Sequence, residues 1–224
     1  MPIFVRYFEI LFELVYLFTA VILGMKILKT AKDNQHKLFG YMALILGGGD
    51  AFHLVPRMIA NATNSFSQYA SYLGYGQMIT SVTMTIFYVF LYRIYKIRYN
   101  KNDTKAIDWT VFLLAAIRII LVALPNNKWA LLNSPYIWGI YRNIPFLILG
   151  LIIIVLFIKQ TRNTREDPYY FMGLAVLLSF ALYLPVVLGA RFYPILGIFM
   201  MPKTLAYVWI IFMGFNDNKK AISQ

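Results

Sequence analysis

Long apolar runs recur along the whole chain, separated by short polar stretches such as "KTAKDNQHK", "NATNSFSQ", "RYNKNDTK" and "KQTRNTRED". A helix that crosses a bilayer needs about 20 mostly apolar residues. Seven runs reach that length, at about 4–28, 38–60, 72–95, 107–125, 136–159, 168–190 and 194–215. The pattern predicts an all-α fold, a single bundle of seven transmembrane helices over residues 1–224. It leaves no room for a separate soluble domain. No internal repeat is evident. The first run lacks the basic start and small-residue cleavage site of a signal peptide.

Composition agrees with the pattern. The 224 residues are 60% hydrophobic and 13% charged, against roughly 25% charged in soluble domains. Cysteine is absent, which excludes thiol nucleophiles, disulfides and thiolate metal sites. The net charge of +12 points to lipid headgroups rather than nucleic acid, because the basic residues gather at helix ends.

Their distribution also sets an orientation. Lys26, Lys29, Lys32 and Lys37 follow the first run. Arg93, Lys96, Arg98, Lys101 and Lys105 follow the third. Lys159, Arg162 and Arg165 follow the fifth, and Lys219 and Lys220 lie in the tail. These are fourteen of the 21 Lys and Arg. The positive-inside rule then predicts a multi-pass protein of the plasma membrane, with the N-terminus outside and the C-terminus in the cytosol. "NAT" at 61–63 matches a glycosylation acceptor on the predicted outer side, but a match this short reads as an ordinary polar loop.

The chemistry lies in the charges that fall within the runs. "GGGDAFHLVPRM" at 47–58 places Asp50, His53 and Arg57 at i, i+3 and i+7, on one helical face. Glu9 and Glu13 are spaced i, i+4, and Tyr16 continues their stripe. Gln77 and Ser81 are also i, i+4. Arg118, Arg142 and Lys203 are neither in loops nor at helix ends. A charge at mid-bilayer costs at least ~2.5–3.5 kcal/mol, so these groups must face the bundle interior, a watery cavity or one another. Span 2 runs outward from Lys37, and at about 1.5 Å per residue Asp50 lies roughly 20 Å along it, just past the midplane. The polar groups therefore gather from the middle outward. The inner half reads as nearly pure hydrocarbon apart from tyrosines.

One outward-opening polar chamber fits this distribution. Arg57, Arg118, Arg142, Arg191 and Lys203 face Glu9, Glu13 and Asp50 there, a surplus of two cations. Asp50 is expected to neutralise Arg118 or Lys203, and Glu13 to neutralise Arg142. The surplus predicts binding, for transport or sensing, of a small anionic or amphiphilic ligand by Arg57, Gln77, Ser81, Arg118, Arg142, Asn143, Lys203, Glu9 and Glu13. Membrane lipids and such a small molecule are the expected partners, with no nucleic acid and no cofactor. No metal is expected either, because cations crowd the acids.

Two alternatives remain open. One is a membrane-embedded enzyme acting on a lipid or headgroup, with Asp50 and His53 as an acid–base pair. The other is a structural or assembly protein whose charges form a buried ion-pair network. A lysine in the last of seven helices invites comparison with retinal proteins. However, "MMPKTLAYVWI" has no acid one turn before Lys203, and span 3 carries no carboxylate. Metal-dependent seven-helix hydrolases need more histidines than His36 and His53.

The orientation is directly testable. A reporter fused after Gln224 should read cytosolic and one inserted near Asn64 external; the reverse pattern would remove the outward chamber.

Overall fold

A computed structural model describes residues 3–102, 104–131 and 134–223. It is all-helical: α1 (Ile3–Thr30), α2 (Asn34–Thr63), α3 (Ala70–Arg98), α4 (Lys105–Ala123), α5 (Tyr136–Thr161), α6 (Met172–Gly189) and α7 (Met200–Ser223). Two short 3₁₀ segments, Pro125–Asn127 and Pro194–Phe199, follow α4 and precede α7. Seven helical segments are long and apolar enough to cross a membrane, the last counted from Pro194. They are compatible with a multi-pass integral membrane protein.

Local sequence explains the helix ends. Asp33 caps α2, accepting the His36 backbone N–H at 2.8 Å from an extended conformation. Asn64 closes α2 in the left-handed region at φ 55°. Leu124 is extended before Pro125, as a residue preceding proline must be, and α4 stops there. Pro56, Pro145 and Pro185 stand inside helices, whereas Pro202 falls in the first turn of α7, where a missing N–H costs least. The seventh apolar run therefore begins as 3₁₀ and becomes α-helical only at Met200. Residues 61–63 are helical rather than a loop, and Asn61 is 1% exposed.

Each helix packs against its neighbour in sequence, and α7 closes the ring against α1 while also touching α2. With seven helices packed each on the next, α1 begins at one end of the bundle and α7 finishes at the other, called here the N-terminal and C-terminal ends. The core of the C-terminal half is aromatic. Phe39, Phe87, Tyr88, Tyr92, Phe157 and Tyr169 are all buried. Rings meet edge to face, Tyr88 with Phe146 at 5.1 Å and Tyr95 with Phe157 at 5.3 Å.

The triple glycine lets α2 lie close to two neighbours at once. Gly47 packs on Ala20 and Val21 of α1, and Gly49 is pressed against Thr83 of α3. Gly76 on α3 answers from the other side: a Cβ there would overlap the Phe52 carbonyl oxygen and sit 2.7 Å from the His53 Cα. Those are backbone atoms, so no rotamer change relieves the overlap. Gly48, by contrast, has nothing within 4 Å of an added Cβ.

Gly76→Ala should therefore destabilise the protein by about 1–3 kcal/mol through overpacking. Gly48→Ala should be neutral, or gain up to about 1 kcal/mol from helix propensity. In detergent, thermal unfolding should fall by about 2–4 °C per kcal/mol for Gly76→Ala. Equal melting of the two variants would show that α2 and α3 are not pressed together here.

Candidate functional site

The polar groups of the N-terminal half divide between two cavities. The first, of about 80 Å³, lies between α1, α2, α3 and α7. Its walls carry the α1 stripe Glu9, Glu13 and Tyr16 and the α2 stripe Asp50, His53 and Arg57. Arg57 spans both glutamates, with Nη2 3.3 Å from Glu9 Oε2 and Nε 3.3 Å from Glu13 Oε1. Asn61 adds a bond to Glu9 at 3.1 Å. Glu13 thus meets Arg57 and not Arg142, the partner expected from the sequence, because α1 packs beside α2 and α7 and away from α5.

Tyr16 donates to Asp50 Oδ2 at 2.5 Å. His53 Nδ1 lies 3.0 Å from the Leu73 carbonyl. A carbonyl only accepts, so Nδ1 carries a proton, and Nε2 is the lone-pair nitrogen whenever the ring is neutral. Asp50 and His53 do not hydrogen-bond each other; the Leu73 carbonyl, not the acid, orients the imidazole. Lys203 enters from α7 with Nζ 4.2 Å from the Tyr183 ring centroid and 5.4 Å from that of Tyr207. Among the described residues it has no carboxylate within 4.0 Å.

The second cavity, of about 650 Å³, is lined from α3, α5, α6 and the stretch leading into α7. Gln77, Arg142, Asn143, Tyr183 and Arg191 line it, and none of its lining residues is acidic. Arg142 is buried, donates to Asn127 Oδ1 at 2.8 Å and stacks 4.4 Å from the Trp129 ring. Asn127 is itself oriented by donating to the carbonyls that end α4, including Leu121 at 2.7 Å. Tyr183 donates to Asn143 Oδ1 at 3.0 Å. At 650 Å³ this space falls in the size range of small-molecule sites. The first cavity has room only for a few waters or one small ion.

Arg118 lines neither cavity. It is 3% exposed, and its guanidinium carbon sits 3.2 Å from the Phe146 ring centroid. Its Nε and Nη1 have no hydrogen-bond partner. Ser81 also lies outside both cavities, with its hydroxyl turned back to the Gln77 carbonyl at 2.7 Å. The structure therefore divides the candidate residues. Glu9, Glu13, Asp50, His53, Arg57 and Lys203 share one cavity, and Gln77, Arg142 and Asn143 share the other. Arg118 is buried against α5, which carries Arg142.

No protein-family model, curated protein or solved structure matches this chain. The functional reading rests on the geometry alone.

A charged cluster stands at the C-terminal end, in the polar segments beyond the apolar runs. Arg98 donates to Asp217 at 2.8 Å and to Asp167 at 3.1 Å. Tyr99 also donates to Asp167, at 2.9 Å, and Gln35 to Asp217, at 3.0 Å. His36 stands between Asp33 (Nδ1, 2.6 Å) and Asp217 (Nε2, 3.1 Å). Carboxylates only accept, so both bonds form only when the imidazole carries both protons. The cluster joins the start of α2, the end of α3, the α5–α6 connection and the end of α7. Its acids lie in polar segments that read as ordinary loops and tail, which is why no periodicity pointed to them.

α2 is 30 residues long, about 45 Å against a hydrocarbon core of about 30 Å. Its first turn, with His36, precedes the apolar run and stands outside the spanning segment; Asp33 and Asp217 lie beyond the runs too. The bond to Asp217 raises the His36 pKa above its ordinary value, with burial opposing and Asp33 assisting. Burial pushes Asp217 up, but His36 and Arg98 outweigh it and hold the carboxyl below the usual range. Asp33 behaves likewise, with the His36 bonds overcoming burial. It is half exposed, so its share of stability is small.

The sign follows from linkage. The raised imidazole contributes stability that is complete below about pH 6.5 and is lost as pH rises through its folded value. The lowered carboxyls contribute stability that is lost in acid. The wild type should therefore lose stability relative to His36→Gln as pH rises above about 6.5. Thermal unfolding across that rise checks it; parallel pH profiles for the two proteins would mean that the imidazole is neutral in the fold.

Proposed function

We propose that the protein is an integral protein of the plasma membrane, N-terminus outside, that binds a small anionic ligand in the half of the bundle facing out. The ligand is free or forms the head of an amphiphile, and transport or sensing follows from its binding. One observation carries this reading: Arg118, Arg142 and Lys203 are held inside the bundle with no carboxylate in ion-pair contact among the described residues. Buried cations without counter-charges are costly, and an anion beside Arg142, the one of the three that lines the larger cavity, relieves that cost there. The 650 Å³ cavity offers Arg142 and Arg191 for charge, with Gln77 and Asn143 for orientation. Its walls Leu131, Val186 and Val187 suit the apolar part of an amphiphile.

A second reading, a membrane-embedded enzyme acting on a lipid headgroup, draws support from His53. Its bond to Leu73 leaves Nε2 as the basic nitrogen, as a general base requires. Asp50 serves in that reading as the separate acid, held by Tyr16.

Sulfate, succinate or octyl phosphate, added at constant ionic strength, should raise the melting temperature in neutral detergent. A response to octyl phosphate alone would identify an amphiphile. Arg142→Gln should weaken the shifting anion by roughly tenfold or more, the worth of one charged hydrogen bond. It should leave unliganded melting little changed. If no anion shifts the transition and Arg142→Gln destabilises the protein instead, the cations are packing devices and the reading falls.

A further inference from the structure

The first cavity has the opposite charge imbalance from the second. Its lining holds three acids, Glu9, Glu13 and Asp50, against two cations, Arg57 and Lys203. Asp50 accepts from Tyr16, and Lys203 lines the same cavity without ion-pair contact to it. Glu9 and Glu13, one turn apart on α1, must share Arg57. Glu9 is completed by Asn61, but Glu13 Oε2 has no partner at all. Both glutamates are only 6% exposed. A doubly ionised pair would leave one carboxylate uncompensated and unsolvated, which costs several kcal/mol in a buried site. A single proton removes that charge without needing space, and the unpartnered oxygen is where it fits.

We propose that Glu9 and Glu13, around Arg57, form a proton-binding site that holds one proton between two carboxyls, and that this proton favours an anion in the neighbouring cavity. The second clause rests on the anion reading above; the first does not. The groups facing the pair are known from every element around it. α1 supplies Tyr16 and, near Asn61, Arg6. α2 supplies Asp50, His53 and Arg57. α7 supplies Lys203 and Tyr207. α3 contributes only Thr80 and Met84, which do not titrate. Arg6 donates to the Asn61 carbonyl and makes no ion pair with either glutamate. Met200 lines both cavities, so a charge added in the first is felt through a single layer of side chain in the second. Uptake of the proton makes the first cavity less negative and thereby strengthens anion binding. Affinity should rise as pH falls.

Infrared spectroscopy of the full chain in lipid nanodiscs tests the proton directly. A protonated-carboxyl stretch should be present at pH 7. It should vanish in Glu13→Gln and also in Glu9→Gln, because Arg57 then balances the single remaining carboxylate. It should persist in Asp50→Asn. Absence of the band in the wild type, or its loss in Asp50→Asn alone, overturns the site. Glu13→Gln mimics the protonated state and should fold. The coupling is read with sulfate, whose charge is constant over the range. Wild-type affinity should rise at least about fivefold from pH 8 to pH 6, the lower edge of typical coupling between two sites, and be flat in Glu13→Gln. Equal slopes in both proteins overturn the coupling. If sulfate, succinate and octyl phosphate bind at no pH, the anion reading fails and the coupling with it, while the infrared band still decides the proton site.

Discussion

Arg57 reaches two glutamates at once, and everything around it follows from the cost of charge in a low-dielectric interior. Glu9 and Glu13 cannot face hydrocarbon, so α1 turns its acidic stripe toward α2. For Arg57 to meet that stripe, α2 must lie close to α1. His53 on the same helix must also reach the Leu73 carbonyl of α3. A helix held tightly on both sides needs small residues at its contacts, and Gly47, Gly49 and Gly76 supply them.

The same constraint separates charge across the bundle. The acids of the N-terminal half all lie on α1 and α2. Three cations without acid partners lie on α4, α5 and α7, cushioned by aromatic rings: Phe146 under Arg118, Trp129 under Arg142, Tyr183 under Lys203. Ring faces ease the burial of a cation but do not neutralise it. Pooled together, these groups show a cationic surplus; divided by cavity, they show an anionic excess in one and an uncompensated cationic wall in the other. The proposed proton and the proposed anion differ in charge as the two sides do.

The C-terminal end is built differently. Arg98, Asp167, Asp217 and His36 satisfy one another directly, and Tyr99 and Gln35 complete the carboxylates. The cluster ties four parts of the chain together beneath the aromatic core.

Much of this was legible in the sequence. Apolar run length determines seven helices, because a hydrocarbon core sets a minimum span. Helical periodicity places Asp50, His53 and Arg57 on one face and Glu9, Glu13 and Tyr16 on another, because 3.6 residues per turn fixes which side chains share a stripe. Partners are a different matter. Which stripe meets which depends on how the helices order themselves around the ring, and no local pattern encodes that. Glu13 therefore found Arg57 rather than Arg142, and Asp50 found Tyr16. The chamber expected as one divided in two, with Met200 in the wall of both. The cluster at the other end joined Asp33, Asp167 and Asp217 from three separate polar segments. Only tertiary structure, which brings residues 181 positions apart within 3.1 Å, could decide it.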